Sequence, residues 1–353
     1  MTQASRSSVR PLLTIAIPTF NRAKYLRESL STLFDQLDAQ PTVELLVSDN
    51  ASSDETSAVI DEFQTRGLKL RYLRNEVNLG VDANFLRCFE QACGKYLWVL
   101  GDDDIVVPGG LNKILRMLEA ADYALIYLCA YSFRSDYLTE RQHDRFQRFA
   151  QIIQNGLPFI RKVGIMITFT SAIIVNKDRY RSAERPCLEN FIGTNLMQLG
   201  WMLPVLGSGG TSLIIWEKLL AGRHSYAGAW SISKVFGENL NELLRTTLSA
   251  NEDIAAVIVN SSLRDFFPNM LTVVRQSVMP PFNRAHFRES IEPLHKGNWR
   301  YWFYVFPVAF LPYWAARIWY VGTQLPNRAA RLISSALALG YSHLRKELIW
   351  SSR

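Results

Sequence analysis

The chain has 353 residues, 48% hydrophobic and 20% charged, which is enough for one large core or two domains and excludes a disordered chain. Its formal net charge is +7, and the residues from Phe282 onward carry ten Lys and Arg against three acidic residues, so the preceding part is formally neutral. A basic C-terminal region on a neutral body favours an anionic surface as partner, either lipid headgroups or nucleic acid.

The cysteine spacing and the N-terminal segment both favour a cytoplasmic protein. None of the four cysteines forms a C-x-x-C pair, so we expect reduced thiols rather than a zinc site or a disulfide scaffold. The first ten residues are polar and lack the apolar stretch of a signal peptide. We therefore expect the body of the protein to stay in the cytoplasm.

The first 130 residues alternate between short apolar runs and amphipathic stretches. In chain order they predict strand 13–17, helix 22–37, strand 43–48, helix 55–66, strand 68–73, helix 83–92, strand 96–100, helix 110–120 and strand 124–129. This alternation predicts an α/β fold with a Rossmann-like, mostly parallel sheet flanked by helices. After residue 140 the alternation weakens, and we predict strands at 170–175 and 213–215 and helices at 190–199, 233–248 and 254–265.

Polar and acidic residues follow three of these strands, at residues 18–22, 48–54 and 101–104. Open sheets of this kind bind ligands at the carboxyl ends of their strands, so these segments predict a site at one edge of the sheet.

The most distinctive of these segments is Asp102-Asp103-Asp104. Adjacent carboxylates repel one another and resist burial. A divalent cation such as Mg²⁺ or Mn²⁺ resolves this, because it prefers oxygen ligands and can bridge to a diphosphate. The alternative is a solvated acidic turn that caps the following helix, but three acids exceed what a cap needs.

Asp49 follows the second predicted strand, where a carboxylate can accept a hydrogen bond from a ring N–H of a nucleotide base. The alternative is a turn or helix-capping residue, although Ser52, Ser53 and Asp54 are better placed to cap the next helix.

Several common enzyme classes are disfavoured. The chain has neither a G-x-G-x-x-G segment after the first strand nor a P-loop, which argues against dinucleotide oxidoreductases and P-loop NTPases. It also lacks a Ser-His-Asp elbow and an H-E-x-x-H zinc motif.

Four segments together resemble the motifs of family 2 glycosyltransferases: LTIAIPTFNR (13–22), VSDNASSD (47–54), NLG (78–80) and LGDDD (100–104) with Pro108. The resemblance covers about residues 12–130 and implies a GT-A fold. It assigns nucleotide binding to Pro18, Thr19, Phe20, Arg22, Asp49, Asn78, Asp82 and Asp102. It makes Asp103 the ligand of Mn²⁺ or Mg²⁺, with Asp104 as a second candidate. Segment 78–87 is similar to transferases that build bacterial surface polysaccharide, such as O-antigen, including the abequosyltransferase-like group.

Two features depart from the family pattern. Gly101 stands where many members have the first acid of D-x-D, and the acidic pair that supplies a general base in the second half is not evident. Glu189 is our candidate base, with a carboxylate at a helix start as the alternative. His224 is our candidate for completing the metal shell, with a structural or solvated loop histidine as the alternative.

The C-terminal region is rich in aromatic residues between 301 and 320, but its uncharged run is short and contains Pro307 and Pro312. The aromatic density between Arg300 and Arg317, followed by a predicted basic amphipathic helix at 328–350, favours peripheral binding to an anionic bilayer. Packing on the catalytic domain or on a partner subunit, as in a homo-oligomer, and spanning the bilayer are the alternatives.

These features predict a metal-dependent glycosyltransferase at the inner face of a bacterial inner membrane. Its donor would be a UDP, CDP, dTDP or GDP sugar, its acceptor a lipid-linked saccharide, and inversion is the family default. We expect a nucleotide-sugar-binding half (1–130), an acceptor-binding half with a helical region (131–280) and a membrane-associating region (281–353). The alternatives are a nucleotide-sugar hydrolase or a nucleotidyltransferase, although residues 18–22 are not a glycine-rich phosphate loop. A nucleic-acid partner is not expected, because it leaves the acidic triplet unexplained.

Overall fold

The computed structural model describes residues 10–38, 40–141, 150–224, 231–276 and 282–324. One mixed sheet of nine strands runs through the first two thirds of the chain, in the order β3-β2-β1-β4-β8-β6-β9-β5, with β7 added beside β9. A helical region follows the sheet. The basic amphipathic helix predicted at 328–350 lies outside the described residues.

The N-terminal half supplies four parallel strands and the helices that cover them. These elements are β1 (Leu13–Thr19), α1 (Ala23–Leu37), β2 (Val43–Asp49), α2 (Thr56–Thr65), β3 (Arg71–Arg74), α3 (Val81–Gln91) and β4 (Tyr96–Val99). Every residue of β1 and β4 is buried, which explains their nearly unbroken apolar sequences.

The second half adds strands of both directions. Its elements are β5 (Ile105–Val106), α4 (Gly110–Ala120), β6 (Leu125–Phe133), β7 (Ala150–Gln154), α5 (Gly156–Val163), β8 (Ile173–Asn176), α6 (Lys177–Ser182), α7 (Leu199–Gly207) and β9 (Thr211–Arg223). Strand β8 runs antiparallel to both β4 and β6, whereas β9 runs parallel to β6 and antiparallel to β5 and β7. The predicted α/β class is confirmed, and the parallel arrangement is concentrated in the N-terminal half.

The helical region contains α8 (Leu240–Thr247), α9 (Glu252–Ser261), α10 (Phe267–Val274), α11 (Arg284–His295) and α12 (Phe306–Phe310), and residues 313–324 are also helical. Helices α8 and α9 bury apolar side chains in the main core, whereas α10, α11 and α12 pack around a second apolar cluster. Phe267, Tyr301 and Val305 are fully buried in this cluster. Of the residues described, no helix combines the length and the apolar character needed to cross a bilayer.

The elements predicted for residues 13–129 are confirmed apart from shifts of a few residues at their ends. The helix predicted at 190–199 is wrong. That segment holds a single 3₁₀ turn (Leu188–Phe191) and a loop, and α7 begins only at Leu199. The short strands β5 and β7 and helix α5 were not predicted.

Candidate active site

The ends of β1, β2 and β4 bring three predicted site residues to one edge of the sheet. Thr19 and Asp49 are register partners in the β1–β2 pair. The Thr19 hydroxyl donates a 2.7 Å hydrogen bond to Asp102 Oδ2, which joins the end of β1 to the acidic segment after β4. The parallel pairing of these strands creates this arrangement, because their carboxyl ends lie side by side.

The acidic triplet is not a solvated turn. Asp102 and Asp104 are both buried, and burial raises the pKa of each carboxyl to about 7. For Asp102 the nearby Arg22 guanidinium opposes this rise. The side chain of Asp103 is 15% exposed, which makes it the most accessible of the three carboxylates.

Arg22 places a positive charge beside two of the three carboxylates. Its Nε lies 3.3 Å from Asp102 Oδ1, and its guanidinium also pairs with Asp103. Burial alone would lower the pKa of Arg22, but the charges of Asp102 and Asp103 outweigh it and raise the pKa. The guanidinium also lies 4.9 Å from the ring centre of Tyr25, on the same helix.

Of the two carboxylates predicted to bind a divalent cation, Asp103 is accessible to it and Asp104 is engaged in other contacts. Asp103 is accessible, and Mg²⁺ is usually held by one or two carboxylates together with substrate phosphates. Asp104 is directed elsewhere: its Oδ1 accepts a hydrogen bond from the backbone N–H of Arg223, and Ser171 also contacts it. Within the described ranges, no group of three His, Cys, Asp or Glu side chains is arranged to hold a metal.

The other two predicted metal ligands have different surroundings from Asp103, and their role at a metal stays a prediction. Asp104 is a buried carboxylate, and its position is fixed by β9 and by Ser171. His224 is exposed at the end of β9, where its backbone N–H bonds to the carbonyl of Phe133, and it joins no three-ligand group with Asp103 and Asp104.

Gly101, where many family members have the first acid of D-x-D, is explained by steric crowding. A Cβ at residue 101 would lie 3.0 Å from Asp104 Oδ2 and 3.3 Å from Ser171 Oγ. The Gly101 N–H also donates a 2.9 Å hydrogen bond to Ser171 Oγ. Glycine at this position therefore leaves room for the inward-turned Asp104 carboxylate.

The predicted base-binding residues are held by a polar network. Asp49 is fully buried, and its carboxylate accepts hydrogen bonds from the Tyr72 hydroxyl (2.7 Å) and the Ser52 N–H (2.9 Å). The exposed guanidinium of Arg74 lies 3.4 Å from the same carboxylate, so a base reaches Asp49 only if this cover moves.

The neighbouring predicted residues differ in exposure. Asn78 is exposed, and its side-chain oxygen accepts hydrogen bonds from Asn50 and from the Gly80 N–H. Phe20, directly after β1, is exposed. Pro18 is buried inside β1, so it shapes the strand end rather than offering a contact surface.

Asp82, another predicted nucleotide-binding residue, is held by a loop from the second half of the chain. It is buried at the start of α3, where its carboxylate accepts hydrogen bonds from the N–H groups of Asn195 (2.8 Å) and Met197 (3.4 Å). Burial raises the pKa of Asp82, and these backbone hydrogen bonds oppose the rise. The residue therefore fixes the 193–197 loop against the start of α3.

Glu189 is the predicted general base. It is exposed on the 3₁₀ turn, and a hydrogen bond from the Cys187 thiol (2.9 Å) lowers the pKa of its carboxyl. A general base must lie within hydrogen-bond reach of the acceptor hydroxyl, so the catalytic role of Glu189 stays a prediction.

Arg223 is the site residue that sequence analysis missed. Its guanidinium lies 5.1 Å from the ring centre of Tyr25 and 4.4 Å from that of Phe133, and it pairs with Glu28. Two guanidinium groups therefore lie against the Tyr25 ring: that of Arg22, at the start of α1, and that of Arg223, at the end of β9. No sequence signal marks Arg223, because it reaches the triplet only through the long pairing of β9 with β6.

Comparison with known proteins finds relatives by sequence, and their matches include the N-terminal half of the chain. A family model described as "Glycosyl transferase family 2" matches residues 14–180. Abequosyltransferase RfbV of Salmonella typhimurium is 30% identical over 214 residues, which span 57% of this chain and 63% of the relative. A Campylobacter jejuni GalNAc(5)-diNAcBac-PP-undecaprenol beta-1,3-glucosyltransferase is 31% identical over 107 residues, 30% of this chain and 34% of that protein.

Solved structures share the fold across most of the chain. The structure of S. aureus TarS 1-349 with UDP-GlcNAc has a TM-score of 0.58 at 14% identity and covers 88% of both chains. The mannosyltransferase PcManGT from Pyrobaculum calidifontis, solved with GDP-Man and Mn²⁺, has a TM-score of 0.52 at 13% identity, covering 94% of this chain and 87% of that one. These likenesses confirm the predicted GT-A fold.

Proposed function

We propose that this chain, whose residues 14–180 match the model of glycosyl transferase family 2, transfers a sugar from a nucleotide diphosphate donor to a saccharide acceptor. The observation that carries the proposal is the pairing of Arg22 with Asp102 and Asp103 at the carboxyl edge of the sheet. This edge is where open α/β sheets bind nucleotides, and the pair supplies both a cation and a metal-binding carboxylate for a diphosphate.

The geometry suggests which residues contact each end of the nucleotide sugar. The Asp49 network and the exposed ring of Phe20 form the base end, and the triplet with Arg22 forms the diphosphate end. In the transfer, the acceptor hydroxyl oxygen bonds to the anomeric carbon as the bond to the diphosphate breaks. The diphosphate leaves with added negative charge, and the acceptor hydroxyl gives its proton to a general base or to water. The Arg22 guanidinium can stabilise that leaving charge.

A divalent cation, Mn²⁺ or Mg²⁺, would act as a Lewis acid at this same point when it is bound. Asp103 would hold the metal ion, because this carboxylate is accessible and is paired in this structure with a side-chain cation, the Arg22 guanidinium, at the same point. The match with a mannosyltransferase solved with GDP-Man and Mn²⁺ supports this part of the proposal.

The acceptor part of the proposal rests on the relatives. One relative is named as an abequosyltransferase and another as acting on an undecaprenol-linked saccharide. We therefore propose a lipid-linked acceptor in bacterial surface polysaccharide synthesis, with the reaction on the cytoplasmic side of the inner membrane.

Calorimetric titration with UDP, CDP, GDP and dTDP, each with Mn²⁺ or with EDTA, tests the donor site. We expect one nucleotide to bind in a metal-dependent way to the wild type and not to Asp103→Ala. The control is Asp61→Ala, which removes an exposed carboxylate on α2 and should leave binding unchanged. Metal-dependent binding that survives Asp103→Ala would refute the metal assignment, and no binding of any nucleotide would refute the function.

A further inference from the structure

The helix at residues 313–324 presents an apolar stripe to solvent. Trp314, Ile318 and Val321 are 69, 68 and 51% exposed, respectively. Their spacing of four and three residues places them on one face of the helix. Ala316, on the other side, is buried. The helix therefore turns large apolar side chains outward while a small one packs inward.

Aromatic residues of the preceding segment extend this stripe. The ring centres of Phe303 and Trp319 are 5.4 Å apart, and Trp319 Nε1 donates a 2.8 Å hydrogen bond to the Phe303 carbonyl. The Trp299 ring lies 6.1 Å from that of Phe303. All three rings are exposed. We call the combined set the C-terminal apolar surface: Trp299, Phe303, Trp314, Ile318, Trp319 and Val321.

The surface has a rigid support. Tyr301 and Val305 alternate with its aromatic residues along the chain and are fully buried in the second apolar cluster. Arg275 also donates a hydrogen bond to the Leu311 carbonyl (2.7 Å), which holds the turn before the last helix. The outward position of the aromatic rings is therefore fixed by packing beneath them.

Positive charge accompanies the apolar side chains. Lys296 and Arg317 are exposed, and the Arg300 guanidinium lies 4.7 Å from the ring centre of Trp299. Residues 282–324 carry five Lys and Arg against two acids, and one of those acids, Glu292, pairs with Arg288. The surface is thus apolar in its middle and basic at its edge.

We propose that the C-terminal apolar surface docks onto an anionic lipid bilayer. Tryptophan rings insert at the level of lipid headgroups, and basic side chains beside them are attracted to anionic lipid. A second copy of this chain fits less well, because a two-fold interface would bring Arg300 and Arg317 of both copies together. Nucleic acid fits less well although the surface holds four aromatic rings, because stacked bases would leave the exposed aliphatic side chains of Ile318 and Val321 uncovered, whereas lipid covers both.

The proposal goes beyond the sugar-transfer reaction and is tested apart from it, with vesicles that contain neither donor nor acceptor. The full chain is mixed with phosphatidylglycerol-containing or pure phosphatidylcholine vesicles, and the bound fraction is measured by flotation. We expect Trp314→Ala/Ile318→Ala to bind the anionic vesicles roughly tenfold to a hundredfold more weakly than the wild type, because two inserted apolar side chains are lost.

Two further variants separate insertion from charge and from general surface change. Leu138→Ala/Ile152→Ala removes two apolar side chains that are equally exposed elsewhere, each 58%, and should bind like the wild type. Arg300→Gln/Arg317→Gln should weaken binding to anionic vesicles by roughly fivefold for each charge and leave the weaker binding to neutral vesicles unchanged.

The proposal is overturned if the wild type does not bind anionic vesicles or if Trp314→Ala/Ile318→Ala binds them as strongly as the wild type. It is also overturned if that variant changes the sedimentation mass, which would assign the surface to self-association. A loss of RNA binding with unchanged vesicle binding would assign it to nucleic acid. Unchanged nucleotide binding by the same variant shows that the fold and the donor site are intact.

Discussion

Replacing Arg22 with methionine should destabilise the fold far more than removing an ordinary surface arginine. The guanidinium pairs with Asp102 and Asp103, and the three side chains are only 29, 6 and 15% exposed. Its loss leaves two largely desolvated carboxylates without their cation. Removing one partner of a buried pair costs about 3–5 kcal/mol, and the partial exposure of Arg22 lowers our expectation to about 2–3 kcal/mol.

Added Mn²⁺ should restore much of this loss. A ligand that binds only the folded state at about a hundred times its Kd stabilises the protein by about 2.7 kcal/mol. The wild type should gain less, because Arg22 competes with the metal for the same carboxylates. Methionine keeps an apolar stem beside Tyr25, so the comparison isolates the charge.

The assay is urea unfolding of wild type and variant, in EDTA and in saturating Mn²⁺. Arg27→Met is the matched control, because Arg27 pairs with Glu62 on the exposed surface and its loss should cost less than about 1 kcal/mol. If Arg22→Met loses no more stability in EDTA than this control, the guanidinium does not hold the triplet. If Mn²⁺ stabilises the wild type and Arg22→Met equally, the metal does not bind where Arg22 lies.

Three further predictions concern residues that position the site or support the fold. Asp82→Ala should lower the free energy of unfolding by about 2–3 kcal/mol, since two backbone N–H groups lose their acceptor. Amide exchange at Asn195 and Met197 should speed up, and unchanged protection would contradict the assigned role. Lys177→Met should cost about 2–3 kcal/mol by thermal or urea unfolding, because the buried ammonium donates to the carbonyls of Phe89 and Ala92 at 2.6 Å each. The exposed Lys113→Met, which loses only its pair with Glu217, should cost much less. Burial lowers the pKa of His295 from 6.5 to about 4, so its folded state binds fewer protons than its unfolded state between these values. The contribution of His295 to stability should therefore be full above about pH 6.5 and fall by about 2–3 kcal/mol by about pH 4.5. Asp102 and Asp104, whose pKa values are raised, contribute with the opposite sign, so the measurement is the difference in unfolding free energy between wild type and His295→Gln at each pH. A difference that does not change between about pH 6.5 and about pH 4.5 would show that the histidine is not the titrating group.

Much of the site could be predicted because local sequence and strand direction together define it. Thr19 and Asp102 follow strands whose apolar runs are easily recognised, and parallel strands must bring their carboxyl ends to one edge. The structure joins these two residues by a direct hydrogen bond. Arg22, at the start of α1, follows for the same reason.

The surroundings of other predicted residues could not be read from the sequence. Asp82, Asp104 and His224 were assigned by residue type and spacing, but their side chains were placed by partners more than a hundred residues away or, for His224, by the path of β9. Sequence spacing does not reveal such partners. The short strands β5 and β7 were missed likewise, because two to five residues carry little periodicity and both strands exist only by pairing with β9.

The sequence by itself therefore determined the α/β class, the order of elements to residue 130 and the edge of the sheet where acids and arginine meet. These properties follow from apolar periodicity and from the geometry of parallel strands, both of which are local or nearly so. Only the tertiary structure decided which carboxylates are buried, which one stays open beside Arg22, and which aromatic side chains of residues 299–321 face outward. Those outcomes depend on burial and on contacts between distant segments, which exist only once the chain is folded.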